Sequence, residues 1–106
     1  MAERTEEQQP DREKGVYAIS VVAALVGTGQ QNIRLYERKG LLTPGRTAGG
    51  TRQYSESDLV TLRRIGELLD EGLNLAGVAK VLELEVENER LYRELKRTRQ
   101  PGSTNP

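Results

Sequence analysis

The sequence predicts a mainly α-helical fold with one short β-hairpin and a long C-terminal helix. Three observations lead to this prediction. Apolar residues recur at spacings of three and four between Leu59 and Leu95, which is the period of a helix. Glycines at positions 27, 40 and 72 follow the predicted helices, where a left-handed residue can end a helix. Glycine and proline residues clustered between positions 41 and 54 indicate a turn between two strands.

Composition restricts the chain to one small domain with an aliphatic core. The chain has 106 residues, 35% of them hydrophobic, and contains no tryptophan or phenylalanine. A core of this size is marginal for a monomer, which favours stabilisation by oligomerisation. Cysteine and histidine are absent, which removes disulfides, thiolate metal sites and imidazole bases. We expect no metal, no cofactor and no enzymatic activity, since neither a phosphate-loop pattern nor a nucleophile–base pair is recognisable.

The net charge of zero conceals a basic segment. Residues 28–54 contain five basic residues and a single acidic residue, Glu37. This segment favours a polyanionic partner, whereas the overall balance argues weakly against one. Residues 1–14 are polar, and no apolar run approaches the roughly 20 residues that span a membrane. We expect a cytoplasmic protein that does not enter a membrane.

Capping patterns predict where the first two helices begin. Ser20 is placed to cap a first helix over residues 21–26. Thr28 and Gln31 form a T-x-x-Q capping box for a second helix, from about residue 29 to residue 39. The sequence therefore predicts two short helices separated by a tight turn.

A hairpin and a third helix are predicted next. Residues 41–42 and 51–54 have the pattern of two short strands. Ser55 and Asp58 form an S-x-x-D box at the start of the third helix. Its apolar side chains share one face: Leu59, Leu62, Ile65, Leu68 and Leu69.

A fourth helix is predicted from its cap at Asn74 to Arg97 without a break. Leu75, Val78, Ala79 and Leu82 form its inner face. A second stripe follows a heptad spacing and predicts a dimer interface, with a polar residue that sets register. The alternative is that this stripe packs back onto the same chain. The stripe consists of Val81, Leu84, Asn88, Leu91 and Leu95.

The first two helices have the features of a helix-turn-helix. Ala23 is small enough for the helices to cross closely, Gly27 can adopt a positive φ, and Ile33 can pack back on the first helix. The start of the second helix then faces the major groove, where Gln and Asn can bind adenine. The alternative is a solvated helix with amides on its outer face. The candidate DNA-binding residues here are Thr28, Gln30, Gln31, Asn32, Arg34 and Tyr36.

The hairpin is predicted to be a wing. Arg46 and Arg52 can enter the minor groove or bind adjacent phosphates. The alternative is an ordinary surface hairpin that carries two arginines. The predicted organisation is a disordered tail (1–15), a winged helix-turn-helix DNA-binding domain (16–72), a helix that continues into a coiled-coil dimerisation helix (73–97) and a second disordered tail (98–106).

The segment from Ile19 to Leu59 resembles the winged-helix domain of the MerR family. The matching pieces are IS-x-x-A, the glycine turn, IRLYE, GLLTP and R-x-Y-S-x-x-D-L. Two segments, RTAGG at residues 46–50 and EGLNLAGVAKVLELE at residues 71–85, are most similar to the HspR-type subgroup. The resemblance implies that the C-terminal helix pairs antiparallel with its mate and that four residues contact DNA. These four residues are Arg34, Tyr36, Arg52 and Tyr54. Gln53 stands where many members of the family have a second arginine before the wing tyrosine.

The resemblance also implies a regulatory role. HspR-type proteins repress chaperone genes and use a DnaK-type chaperone as co-repressor. We therefore expect a homodimeric repressor of chaperone or stress genes that binds double-stranded DNA at a two-fold operator, with no small-molecule effector domain. The resemblance also implies association with the bacterial nucleoid. The absence of cysteine argues against direct redox or thiolate-metal sensing. Two alternatives remain, a chaperone-modulator-like interaction module on a MerR-like fold and an excisionase-like DNA binder.

Overall fold

The computed structural model describes residues 14–99, so residues 1–13 and 100–106 of the predicted tails lie outside the described part. Within it, the mainly α-helical fold with a small hairpin is confirmed. The predicted domain boundaries remain predictions, although Thr98 and Arg99 continue the last helix rather than a tail. The elements, in chain order, are α1 (Ile19–Val26), α2 (Gln30–Arg38), β1 (Gly45–Arg46), β2 (Arg52–Gln53), α3 (Glu56–Asp70) and α4 (Leu75–Arg99).

One hydrophobic core, aliphatic except for Tyr36 and Tyr54, joins all four of these helices. Val22 of α1, Ile33 of α2, Ile65 of α3 and Val78 of α4 are completely buried. The predicted inner face of α3 is confirmed, since four of its five apolar residues are buried and Leu69 packs against them. Leu75 and Leu82 of α4 also pack partly against this core. The N-terminal third of α4 therefore belongs to the same folded unit as the first three helices.

The predicted caps of α1 and α2 are wrong. Ala18 is the N-cap of α1, so Ser20 lies inside the first turn, because the helix begins early enough for Ile19 to pack on the core. Gly29 is the N-cap of α2, and no side chain among residues 14–99 caps this helix. Thr28 belongs to the preceding turn, where its N–H is bonded to the carbonyl oxygen of Ala23 at 3.1 Å. Tertiary packing therefore overrides the two local capping patterns.

The turn between α1 and α2 follows the prediction. Gly27 has φ of 74°, a conformation that glycine adopts without steric cost. Its N–H donates to the carbonyl oxygen of Ala23 at 2.9 Å. α2 ends as predicted before Gly40, whose φ is 80°. These two turns fix the direction of α2 relative to α1 and to the hairpin.

The hairpin is shorter and lies later than predicted. β1 and β2 are antiparallel, with Gly45 opposite Gln53 and Arg46 opposite Arg52. The predicted strand at residues 41–42 is wrong, because Leu42 is buried in the core instead of pairing in the ladder. The backbone of Tyr17 forms a bridge with Tyr54, which adds the N-terminal segment to the base of the wing.

The caps of α3 and α4 are confirmed. Ser55 Oγ accepts from the Asp58 N–H at 3.0 Å, and the Asp58 carboxylate accepts from the Ser55 N–H at 2.9 Å. Asn74 Oδ1 accepts from the Gly77 N–H at 2.8 Å. α4 then runs without interruption to Arg99. None of the helices between residues 14 and 99 combines the length and the apolar composition of a membrane-spanning segment.

Candidate nucleic-acid interface

The outer face of α2 is a polar and basic stripe. Ile33 and Tyr36 are buried and hold the helix on the core. Gln31, Arg34 and Arg38 follow at spacings of three and four, so their side chains lie on one side of the helix, away from Ile33. Gln31 and Arg38 are exposed and Arg34 is half-buried. This stripe presents one amide and two guanidinium groups to solvent.

Two hydrogen bonds order the start of α2. Asn32 Nδ2 donates to Thr28 Oγ1 at 3.0 Å, and Arg34 Nη2 donates to Gln30 Oε1 at 3.3 Å. Each bond engages only one of the polar atoms of the donating side chain. The remaining amide and guanidinium groups can still bind base edges or phosphate oxygens.

Glu37 connects α2 to the wing. Its Oε1 accepts from Arg52 Nε at 2.6 Å, and its Oε2 accepts from Arg46 Nη2 at 3.1 Å. The hydrogen bond that Arg52 donates to Glu37 raises the pKa of Arg52. Arg46 Nη1 also donates to the carbonyl oxygen of Gly50 at 3.0 Å, within the wing loop. One carboxylate thus holds both wing arginines beside the end of α2.

The two predicted DNA-contacting tyrosines lie in the core. Tyr54 is completely buried, and within residues 14–99 its hydroxyl has no hydrogen-bond partner. Burial raises the pKa of this phenol. Tyr36 is 8% exposed. Both rings therefore pack in the core next to the surface formed by the α2 stripe and the wing arginines, which we call the α2–wing surface. A DNA contact through the Tyr54 hydroxyl needs a rearrangement.

The structure brings most of the predicted site together and adds two residues. The stripe on α2 and the wing arginines lie side by side because Glu37 joins them. Sequence reasoning missed Glu37 and Arg38. Arg38 could have been found from its helical spacing to Gln31 and Arg34. Glu37 was harder to find, because its partners lie nine and 15 residues away along the chain.

The predicted dimer stripe is exposed along α4. Leu84, Leu91 and Leu95 are 57%, 48% and 47% exposed. Val81 packs partly against the core of its own chain. Four of the five predicted residues, Val81, Leu84, Asn88 and Leu91, line one depression of about 420 Å³ together with Glu85 and Glu87. Over the described range, no group of three or more acidic, histidine or cysteine residues could hold a metal ion.

The chain is similar in sequence to bacterial regulatory proteins. It matches the model of the MerR HTH family regulatory proteins over residues 17–85. It is 51% identical over 71 residues to the Streptomyces coelicolor protein named "Putative heat shock protein HspR", covering 66% of this chain and 47% of that protein. It is 39% identical over 71 residues to the HTH-type transcriptional regulator GlnR of Bacillus anthracis, covering 67% and 55%. The chain therefore spans about half the length of these curated relatives.

The solved structure of a MerR family regulator has the same fold as this chain. HiNmlR, described as a MerR family regulator lacking the sensor domain and bound to promoter DNA, superposes with a TM-score of 0.62 at 26% identity. The superposition covers 77% of this chain and 67% of that one. It confirms the winged helix-turn-helix architecture with its long C-terminal helix. On the match over residues 17–85, this chain belongs to the MerR family of helix-turn-helix regulatory proteins.

Proposed function

We propose that this protein is a sequence-specific DNA-binding transcriptional regulator that acts as a homodimer and represses chaperone or stress genes. The observation that carries the proposal is the surface formed by the α2 stripe and Arg52, held side by side by Glu37. Its amides and guanidinium groups are the groups that bind base edges and phosphates. The regulator HiNmlR, which has the same fold, is described as bound to promoter DNA.

The exposed residues divide into two proposed roles. Gln31 and Asn32 lie in the first turn of α2, the part of a recognition helix that meets base edges, so they are proposed to select sequence. Arg34, Arg38 and Arg52 are proposed to bind phosphates and to position the helix. Arg34 can also bind guanine. Tyr54 is proposed to support this surface by packing, since its hydroxyl is buried.

Dimerisation through α4 is proposed because the distal part of this helix has no core of its own. Every residue from 83 to 99 is exposed. The exposed leucines lie on one side of the helix, and Asn88 lies between them at a position that sets register in paired helices. Residues 83–89 carry four glutamates, whereas residues 90–99 carry five basic residues and one glutamate. An antiparallel pair would bring these opposite charges together.

The regulated genes are proposed from similarity. The HspR relative is 51% identical to this chain over 71 residues. We therefore infer a chaperone or stress promoter as the target, with a DnaK-type chaperone as the co-repressor. Occlusion of polymerase at a two-fold operator is the proposed mechanism. The protein is proposed to act in the bacterial cytoplasm, where it meets the chromosome.

The test is fluorescence anisotropy with three DNA probes at two salt concentrations. The probes are the DNA upstream of the protein's own gene, the DNA upstream of a chaperone operon, and a scrambled control. We expect tight, salt-sensitive binding to at least one natural fragment, because each neutralised phosphate releases counterion. Arg52→Ala should weaken binding to every probe. Arg63→Ala, which removes an exposed arginine of α3, is the matched control and should leave binding unchanged.

The outcome separates the proposed function from its alternative. Equal, weak binding of the wild-type protein to all three probes would contradict a DNA-binding regulator. A chaperone-modulator-like interaction module predicts that result. Preference for the chaperone fragment would support the stress-gene target, whereas preference for only the protein's own upstream DNA would contradict it.

A further inference from the structure

The two wing arginines differ in how much of their hydrogen-bonding capacity is already used. We propose that Glu37 positions Arg52 as a phosphate clamp and holds Arg46 as a structural part of the wing. The inference rests on the proposed DNA-binding function and deepens it. It gives different roles to two arginines that look equivalent in the sequence.

Arg52 is held in an orientation suited to phosphate. Glu37 accepts a short hydrogen bond, 2.6 Å, from its Nε atom. Within the described part of the chain, neither terminal nitrogen of Arg52 has a partner. A guanidinium fixed through Nε presents its two terminal nitrogens as a planar pair, which matches two oxygens of a phosphate. The Arg52 side chain is 30% exposed, so this edge is accessible.

Arg46 is engaged at both of its terminal nitrogens. Nη2 donates to Glu37 and Nη1 donates to the carbonyl oxygen of Gly50. These bonds tie the loop of the wing to the end of α2. A phosphate that bound Arg46 in the same bidentate manner would have to displace at least one of them. The side chain is 45% exposed, so exposure alone does not distinguish it from a DNA-binding residue.

A carboxylate in a DNA-binding surface is expected to repel phosphate, but Glu37 is shielded. Its side chain is 18% exposed, and a guanidinium group lies on each of its oxygens. The three side chains together carry a net charge of +1. Glu37 can therefore orient Arg52 while repelling phosphate only weakly, since the charge that faces solvent is mainly that of the arginines. This arrangement predicts that removing the carboxylate weakens specific binding although the local positive charge increases.

The salt dependence of DNA binding distinguishes the two arginines. We would measure dissociation constants for the best-bound natural fragment over a series of salt concentrations. Arg52→Gln should make the slope of log association constant against log salt less negative by about 0.9. This is the change expected when one phosphate contact is lost. Arg46→Gln should leave that slope unchanged and lower the melting temperature instead. Equal slope changes in the two variants would overturn the proposal.

A double-mutant cycle tests whether Glu37 acts through Arg52. Glu37→Gln should weaken binding to the natural fragment by about 10-fold, a typical effect of losing one charge-assisted hydrogen bond. Binding to scrambled DNA should weaken as well, because a phosphate contact does not depend on sequence. In the Arg52→Gln background, Glu37→Gln should cause little further loss. Glu67→Gln, which removes a 63% exposed carboxylate paired with Arg64, is the matched control and should not change binding.

Several outcomes would overturn the proposal. Tighter binding of Glu37→Gln to every probe would show that the carboxylate only competes with phosphate. Additive losses in the cycle would show that Glu37 and Arg52 act independently. If Glu37→Gln fails to fold, the slopes of the two arginine variants still decide. Failure of the wild-type protein to prefer any natural fragment contradicts the proposed function, whereas wild-type-like binding by Glu37→Gln contradicts only this inference.

Discussion

The head of the molecule, residues 14–82, and its distal helix, residues 83–99, are stabilised in different ways. All of the buried hydrophobic residues of the described chain lie in the head. Every residue of the distal helix is exposed. Ion pairs along the distal helix join Arg90 to Glu87 and Glu94, and Arg93 to Glu89. Exposed pairs of this kind contribute little to stability, because water and salt screen them.

The difference shows that the two regions depend on different partners. The head has a contiguous core and can hold the α2–wing surface by itself. The distal helix displays apolar side chains that no part of the described chain covers, and we propose that a second copy covers them. Substitutions in the two regions should therefore have separable effects, one on folding and the other on assembly.

The largest effect on the head is expected from Ile33→Ala. Ile33 is completely buried between α2 and the rest of the core. Truncation of such a side chain costs about 2–5 kcal/mol, because buried contacts are lost and a cavity remains. Chemical denaturation followed by circular dichroism measures this loss. Val86→Ala, at a site that is 69% exposed on α4, is the control and should change the unfolding free energy by less than about 0.5 kcal/mol.

The largest effect on the distal helix is expected from Leu91→Glu. This change places a charge in the proposed interface, where a buried unpaired carboxylate is costly. Light scattering should show the 11.8 kDa mass of one chain for the variant and twice that mass for the wild-type protein. The head should remain folded, since Leu91 makes no contact with its core.

The control for this experiment is Val86→Glu on the same helix. Val86 is two residues from Leu84, so its side chain points about 200° away from that leucine around the helix. It is more exposed than any leucine of the stripe. If the Val86→Glu variant is a dimer and the Leu91→Glu variant is a monomer, the interface lies on the leucine side of α4. Monomeric wild-type protein, or equal effects of the two variants, would contradict dimerisation through the predicted stripe.

A smaller effect on the head is expected from Ser55→Ala. The change removes the side-chain acceptor for the Asp58 N–H at the start of α3 and should cost about 1 kcal/mol. Ser20→Ala is the matched control, because Ser20 lies inside α1 and caps nothing. Thermal unfolding of the two variants compares them directly. A larger loss for Ser20→Ala than for Ser55→Ala would restore the capping role that the sequence suggested.

The smallest effect is expected from Tyr54→Phe. The change removes a buried hydroxyl that has no partner within residues 14–99, so stability should stay the same or rise by about 1 kcal/mol. DNA affinity should change by less than about twofold, since the hydroxyl is buried. Anisotropy on the best-bound fragment measures this change, with Arg52→Ala as the positive control. A tenfold loss of affinity would show that Tyr54 contacts DNA, as the family resemblance implies.

Local patterns predicted the parts of the fold that depend on local interactions. The inner face of α3, the Ser55–Asp58 box and the glycine that follows α2 were all predictable, because each is determined within a few residues. The caps at Ser20 and Thr28 failed because packing and the tight turn set where these helices begin. The predicted strand at residues 41–42 was wrong because two apolar residues are too few to distinguish a strand from a loop with a buried leucine, which Leu42 proves to be.

The candidate site was predictable as a set of residues but not as an arrangement. The amides and arginines of α2 and the wing could be identified from their helical position and from the hairpin pattern. The link through Glu37 depends on how the wing folds back onto α2, which no local pattern encodes. The burial of Tyr54 likewise depends on packing with core residues that are distant in sequence, such as Val22 and Val78 of the same core.

Hydroxyl-radical footprinting on the DNA upstream of a chaperone operon tests the central claim most directly, because it reports specific binding and pairing together. We predict two protected patches related by two-fold symmetry, with centres a whole number of helical turns, each about 34 Å, apart. Leu91→Glu should lose the paired protection and Val86→Glu should keep it. A single patch that is unaffected by Leu91→Glu, or no protection by the wild-type protein, would contradict the account.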